Sequence, residues 1–263
     1  MKGRDKTVER FQNEGKLVEL LHLKLAPVGV FFGNTDAECD LVPSPDTRNC
    51  VAPLLLASAR GQVVALDEDS CNCPGGAVGC CFGDGFTRRN PRIHEMLAQG
   101  VQGVPDTAPI HMREGERFFC SSEIAMNWRQ SIPYSERAYP RIVFAPLSRW
   151  ECIGEPDLVF VFADPDQISA LVTMLGFRNG RAQNAIAPFG AACQSILFAA
   201  EQLDAEEPLA VLGLFDISQR RKAVAGYLSL TMPTKLFRQM AADLPTSCLT
   251  THAWHEIEKR YER

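Results

Sequence analysis

The sequence predicts an α/β chain, or a mixed α+β one, folded as a single domain over residues 1–263 and built of two pseudo-symmetric helix-strand halves. Three observations carry this. Strand-sized apolar runs alternate with helix-forming stretches along the chain. Hydrophobic residues make up 46% of 263 positions and charged residues 22%, enough to bury a sizeable core. A succession of cysteine, small-residue helix, strand and acidic turn occurs twice, from Cys50 and again from Cys193.

Taken in order, residues 5–24 place Val8, Phe11, Leu17, Val18, Leu20 and Leu21 among charges, which predicts an amphipathic helix loosened near Gly15. Val28 to Phe32 reads as a buried strand closed by Gly33-Asn34. Asp36 to Arg48 is loop. Cys50 opens a small-residue helix over Val51 to Ala59, and a strand over Gln62 to Leu66 runs into the acidic corner Asp67-Glu68-Asp69. Arg88 to Met112 reads as a short helix around His94 to Ala98 followed by a connection, with no chemistry signalled.

A helix over Glu123 to Gln130 precedes two strands, Arg141 to Ala145 and Asp157 to Phe162. Asp164-Pro165 supplies an N-cap carboxylate and a first-turn proline, so a helix starts there and runs to about Leu175. Another small-residue helix spans Cys193 to Gln202, and the strand Leu209 to Phe215 ends at Asp216. Val224 to Leu230 is a further strand, Pro233 to Ala242 an amphipathic helix and Trp254 to Arg263 a terminal one. If the two halves pack about a twofold axis, Cys50 and Cys193 face each other at helix N-termini.

The net charge of −5 and the pI near 5.6, with scattered basic residues, argue against nucleic acid as a partner. The charged N-terminus lacks the apolar region of a signal peptide, and no apolar run reaches the length of a membrane span. The expectation is a cytoplasmic protein with no membrane partner. In that compartment the ten cysteines point to metal or redox chemistry and not to a disulfide framework.

Chemistry concentrates in Ser70 to Gly83, which holds Cys71, Cys73, Cys80 and Cys81 with glycines between them. Thiolates at helix N-termini are favoured by the unpaired amides, which lowers thiol pKa; Cys50 and Cys193 are placed to benefit. Pro74 restricts Asn72-Cys73 toward extended geometry, while Gly75 and Gly76 are free to take positive φ and form an amide nest for an anionic group such as an iron–sulfur cluster. Zinc fits less well. Neither Cys71-x-Cys73 nor Cys80-Cys81 has the usual spacing, and His22, His94, His111, His252 and His255 form no ligand pattern. Cys39, Cys152 and Cys248 are isolated and read as packed hydrophobes.

The succession Asn49-Cys50, Cys73-Pro74-Gly75-Gly76-Ala77, Phe144-Ala145-Pro146-Leu147, Pro156-Asp157-Leu158-Val159-Phe160 with Asp164-Pro165-Asp166-Gln167, Ala192-Cys193 and Met232-Pro233 resembles the DUF169 family of uncharacterised prokaryotic proteins. The match covers nearly the whole chain in order. The resemblance implies an origin mainly in anaerobic metabolism and three cysteine positions, occupied here by Cys50, Cys73 and Cys193. Cys71, Cys80, Cys81 and Cys120 depart from the pattern, with Cys80-Cys81 standing where relatives have an apolar residue and a glycine.

Together these readings give an iron–sulfur protein carrying a 4Fe-4S cluster. The metal ligands are drawn from Cys50, Cys71, Cys73, Cys80 and Cys193, with Cys120 a further choice for the fourth position, and Gly75 and Gly76 supply the cofactor cradle. Its partner is a small-molecule substrate or a redox protein, its activity that of an oxidoreductase or lyase, and a homo-oligomer is left open. Asp69, Asp216, Arg220 and Arg221 are the candidate surrounding groups. Two alternatives stand beside this: thiol redox catalysis by Cys71-x-Cys73 or Cys80-Cys81 without metal, and capture of a soft metal as a binding protein or metallochaperone.

Overall fold

The computed structural model describes residues 12–33, 37–44, 46, 49–83, 90–133, 139–220 and 224–262. Helix α1 occupies residues 12–20 and continues through Gly15 without a break, contrary to the loosening expected there; residues 5–11 of the expected helix lie outside the described ones. In chain order there follow β1 (Val28–Phe32), α2 (Val51–Ala59), β2 (Val64–Asp67), α3 (Pro74–Gly79), α4 (Ile93–Leu97), α5 (Ile110–Glu114), α6 (Ser122–Ser131), β3 (Arg141–Pro146), α7 (Trp150–Ile153), β4 (Leu158–Ala163), α8 (Pro165–Leu175), β5 (Ala185–Ile186), α9 (Ala192–Ala200), β6 (Ala210–Gly213), α10 (Ile217–Arg220), β7 (Leu228–Pro233), α11 (Thr234–Asp243) and α12 (His252–Glu258).

The strands form one seven-stranded sheet in the order β2-β3-β1-β4-β7-β6-β5. All neighbours are antiparallel except β5 and β6. The α/β expectation therefore holds as a mixed sheet with helices on both faces. Alternation along each strand divides its side chains between two cores. Ile142 and Phe144 pack with α2, α3 and α9, whereas Val143 and Ala145 pack with α1, α8 and α11. The last expected strand begins later than the sequence suggested: Val224 lies in a turn, and β7 runs from Leu228 to Pro233.

The pairing repeats across the sheet. In the first half β3 lies between β1 and β2; in the second, β7 lies between β4 and β6. Register agrees as well. Val28 pairs with Pro146 and Val64 with Phe144, while Leu158 pairs with Pro233 and Val211 with Thr231. The halves meet where β1 runs antiparallel to β4, with Gly29 opposite Val159, as a local twofold axis requires. Helices α2 and α9 occupy the equivalent place in each half and pack in one core. The two cysteine-bearing helices are thus brought together by a symmetry of the whole sheet.

Candidate functional site: a cavity lined by three cysteines

Three helix starts converge at one end of this core. Cys50 is the N-cap of α2 and Cys73 the N-cap of α3, both in extended backbone conformation, and Cys193 is the second residue of α9. First-turn amides lack partners within their own helix, although neither Cys50 nor Cys73 makes a side-chain cap bond. All three cysteines line a single cavity of about 300 Å³.

Local interactions fix each approach. The corner after β2 is closed by Asp67, whose Oδ1 accepts from the Ser70 backbone N–H at 2.8 Å and from the Ser70 hydroxyl at 2.7 Å. Those bonds hold the Asp67 carboxyl below its ordinary pKa, the Ser70 amide first among the causes, against the opposing effect of burial. Asn49 Nδ2 donates to Ser70 O at 3.2 Å, which ties the approach to Cys50 to the approach to Cys71. On α9, Gln194 folds its Oε1 back to accept from Ala191 N–H at 2.8 Å, and the Cys193 thiol lies 3.3 Å from the same oxygen.

Gln219 joins the two halves of the site. Its Nε2 donates to Cys50 Sγ at 3.4 Å, and its Oε1 accepts from the Ala192 N–H at 3.2 Å. One amide therefore spans from the sulfur at the start of α2 to the open end of α9. Asp216 reaches the cavity too, its Oδ1 held by the Ser218 N–H at 2.8 Å and the Ser218 hydroxyl at 2.6 Å.

The amide nest expected of Gly75 and Gly76 does not form. Neither has positive φ, and both lie within α3, because Pro74 at the first helical position is already set for a helix. Gly75 lines the cavity. Gly76 is buried, and a Cβ there would stand 3.0 Å from Cys71 Sγ and 3.2 Å from Val51 Cγ2. Gly79 has the tightest fit: a Cβ would lie 2.5 Å from both the carbonyl carbon and the Cβ of Cys193. Gly79 thus lets α3 lie against α9, while Gly76 lets it lie against Cys71 and Val51.

The remaining cysteines are sorted by depth. Cys71, Cys80 and Cys81 are fully buried and are not among the residues that line the cavity. The Cys80 thiol is pushed well above the usual range by burial and then by Cys71, Cys193, Cys81 and Cys73. Cys81 has φ 62°, the left-handed position after α3, where Cys81 N–H bonds Val78 O and Phe82 N–H bonds Ala77 O. That is the position at which glycine ordinarily ends a helix, so Cys81 holds a left-handed conformation that a side chain disfavours. Cys120 is exposed and is not part of the wall. All ten cysteines are free thiols.

The electrostatic expectation is corrected at Cys193. Its thiol is pushed well up and not down, first by burial and then by Cys73, Cys50, Cys71 and Asp216. Removing a thiolate from water beside other acidic groups outweighs the helix end. Among the described residues no group of three or more His, Cys, Asp or Glu is placed to hold a metal ion as the side chains stand.

Of the candidate surrounding groups, only Asp216 meets the cavity. Asp69 is exposed in the turn after β2, Arg220 Nη1 donates to Leu214 O at 3.3 Å and also to Tyr227 O, and Arg221 lies outside the described residues. The opposite wall comes from a segment the sequence left blank. Ile93, Met96, Leu97, His111 and Glu116 line it, with Phe118, Trp128 and Phe189 forming an aromatic side. Phe189 stands 5.3 Å from Phe118 and 5.6 Å from Trp128 between ring centroids. Gln194 and Gln219 were legible only as caps: each is a glutamine near a helix start, a signature that says nothing of a sulfur nearby.

Among the described residues no helix is long and apolar enough to cross a membrane. No curated protein and no solved structure matches the chain. Residues 16–243 match the model of DUF169, described as an uncharacterised ArCR family, and the match ends with the last residue of α11. The chain belongs to the DUF169 family.

Proposed function

We propose that Cys50, Cys73 and Cys193 hold an iron–sulfur cluster, of the 4Fe-4S type, in the cavity of a protein that acts on a small molecule. The observation that carries the reading is the convergence of three cysteines from separate segments, each at a helix start, on one cavity of about 300 Å³. The donor set fits. Three thiols on one cavity are a soft donor set that suits iron and sulfide, although no ready-made ion site exists among the described residues as the side chains stand. A cationic iron centre also opposes what raises the Cys193 pKa, the crowding of acidic groups in a dry place.

When bound, such a cluster supplies one-electron redox chemistry, or Lewis-acid chemistry at an iron without a thiolate. The chain's own residues do the rest. Gln219 orients Cys50, Gln194 orients Cys193, and the aromatic wall keeps water from the space between. His111 and Glu116 stand on the opposite wall as groups able to exchange a proton with a bound molecule. Cys71 and Cys80 are fully buried and near enough to Cys193 to bear on the titration of this cluster of thiols, which leaves both as candidates for a fourth ligand.

The test is anaerobic purification and reconstitution, followed by an optical spectrum with iron and acid-labile sulfide analysis. The expected result is a brown protein that loses its colour in each of Cys50→Ser, Cys73→Ser and Cys193→Ser. A colourless protein without iron or sulfide overturns the reading. Bound metal without sulfide favours the soft-metal alternative, and thiol activity that survives chelation favours the metal-free one.

A further inference from the structure

Beside its three cysteines, the same cavity has a charge and surface of its own. Its acidic groups are Glu116 and Asp216, and among the described residues that line it there is no lysine or arginine. No hydrogen bond or ion pair engages the Glu116 carboxylate among the described residues. Around these acids stand Phe118, Trp128 and Phe189, with Met96 and Leu97 beside them. A carboxylate or phosphate ligand would enter against two carboxylates, with no arginine or lysine among the described lining residues to meet it. A small hydrated metal cation gains nothing from the aromatic side.

We propose that this cavity receives, beside the cysteines, a small organic cation, an alkylated ammonium or sulfonium group on an apolar body. Such a group suits both the charge and the surface of the cavity. Its charge is met by Glu116 and Asp216 and by the faces of the aromatic rings, and its alkyl surface replaces water against Met96, Leu97 and Trp128. The inference rests on the cluster reading only in assigning Cys50, Cys73 and Cys193 to the cluster.

The experiment is calorimetric titration of the full chain, with and without reconstitution, using three probes of similar size: tetramethylammonium, tert-butanol and pivalate. The cation is expected to bind about tenfold more tightly than the neutral alcohol, and pivalate not at all. Trp128→Ala and Glu116→Gln are each expected to weaken the cation about tenfold. Glu116→Gln guards against a folding defect at Trp128, since its carboxylate supports no other contact. Equal binding of the alcohol, tighter binding of pivalate or no binding of the cation overturns the proposal. Iron and sulfide measured on the same samples separate the two ideas. Cation binding without a cluster sinks the proposed function alone, and a cluster without cation selectivity sinks this inference alone.

Discussion

Replacing Gly79 by alanine tests whether the close approach of α3 and α9 builds the site. The added methyl would stand 2.5 Å from the Cys193 carbonyl carbon and Cβ and 2.6 Å from its oxygen. Carbon atoms rest at about 3.5–4.0 Å, so the helices must part by roughly 1 Å. Two of the three atoms met are backbone, which no rotamer change can move aside. Overpacking of this kind costs about 1–3 kcal/mol, and alanine's better helix propensity returns at most about 1 kcal/mol. The net loss, up to about 2 kcal/mol once the full propensity gain is subtracted, corresponds to a fall in Tm of up to about 8 °C for a chain of this size. Because α3 carries Cys73 and α9 carries Cys193, iron per chain after reconstitution should fall with it. Gly15→Ala is the control. That glycine lies in α1 with no atom within 4 Å of the added methyl, so stability should rise by up to about 1 kcal/mol with iron content unchanged. Thermal unfolding and iron analysis of the two variants decide the matter: a Gly79→Ala protein as stable and as well loaded as the parent refutes the packing argument.

Two other predictions concern the framing of the site. Gln219→Ala removes the donor to Cys50 Sγ and the acceptor for Ala192 N–H. It should cost about 1–2 kcal/mol in denaturant unfolding and speed loss of the visible cluster spectrum, whereas Gln219→Glu, which keeps an acceptor for Ala192, should recover the stability but not the Cys50 contact. Asp67 has a folded pKa below its unfolded value, so it contributes stability that is present above about pH 4 and lost as pH falls through the folded pKa. Asp67→Asn should therefore be less stable than the parent at neutral pH and converge with it as pH falls below the folded pKa; a difference that stays constant on acidification would show that the Ser70 contacts do not depend on the charge.

Much of this was legible in the sequence. Period and turn signals located the strands because a strand buried on both faces must be a short, continuously apolar run, as Leu158–Ala163 is. The repeat was legible from the order of its elements, and the sheet bears it out in register. The cap of α8 was legible atom for atom: Asp164 accepts from Gln167 N–H at 2.9 Å. Gly75 and Gly76 misled because glycine is read as a loop former, while a proline just before them set a helix and close packing, not φ, required the missing Cβ. Arg88 to Met112 signalled no chemistry because a cavity wall of ordinary apolar residues, Ile93, Met96 and Leu97 among them, has no spacing rule.

By itself the sequence determined the elements, their duplication and the cysteines worth following, since those depend on local periodicity and on residues near one another in the chain. Only the tertiary structure decided which cysteines share a cavity. Cys50, Cys73 and Cys193 meet because a twofold arrangement of the sheet and the narrow Gly79 contact bring three helix starts together, while Cys71 and Cys80, their neighbours in sequence, are fully buried and do not line the cavity. Adjacency along the chain fixes a distance between backbones; the direction of each side chain depends on what its helix packs against.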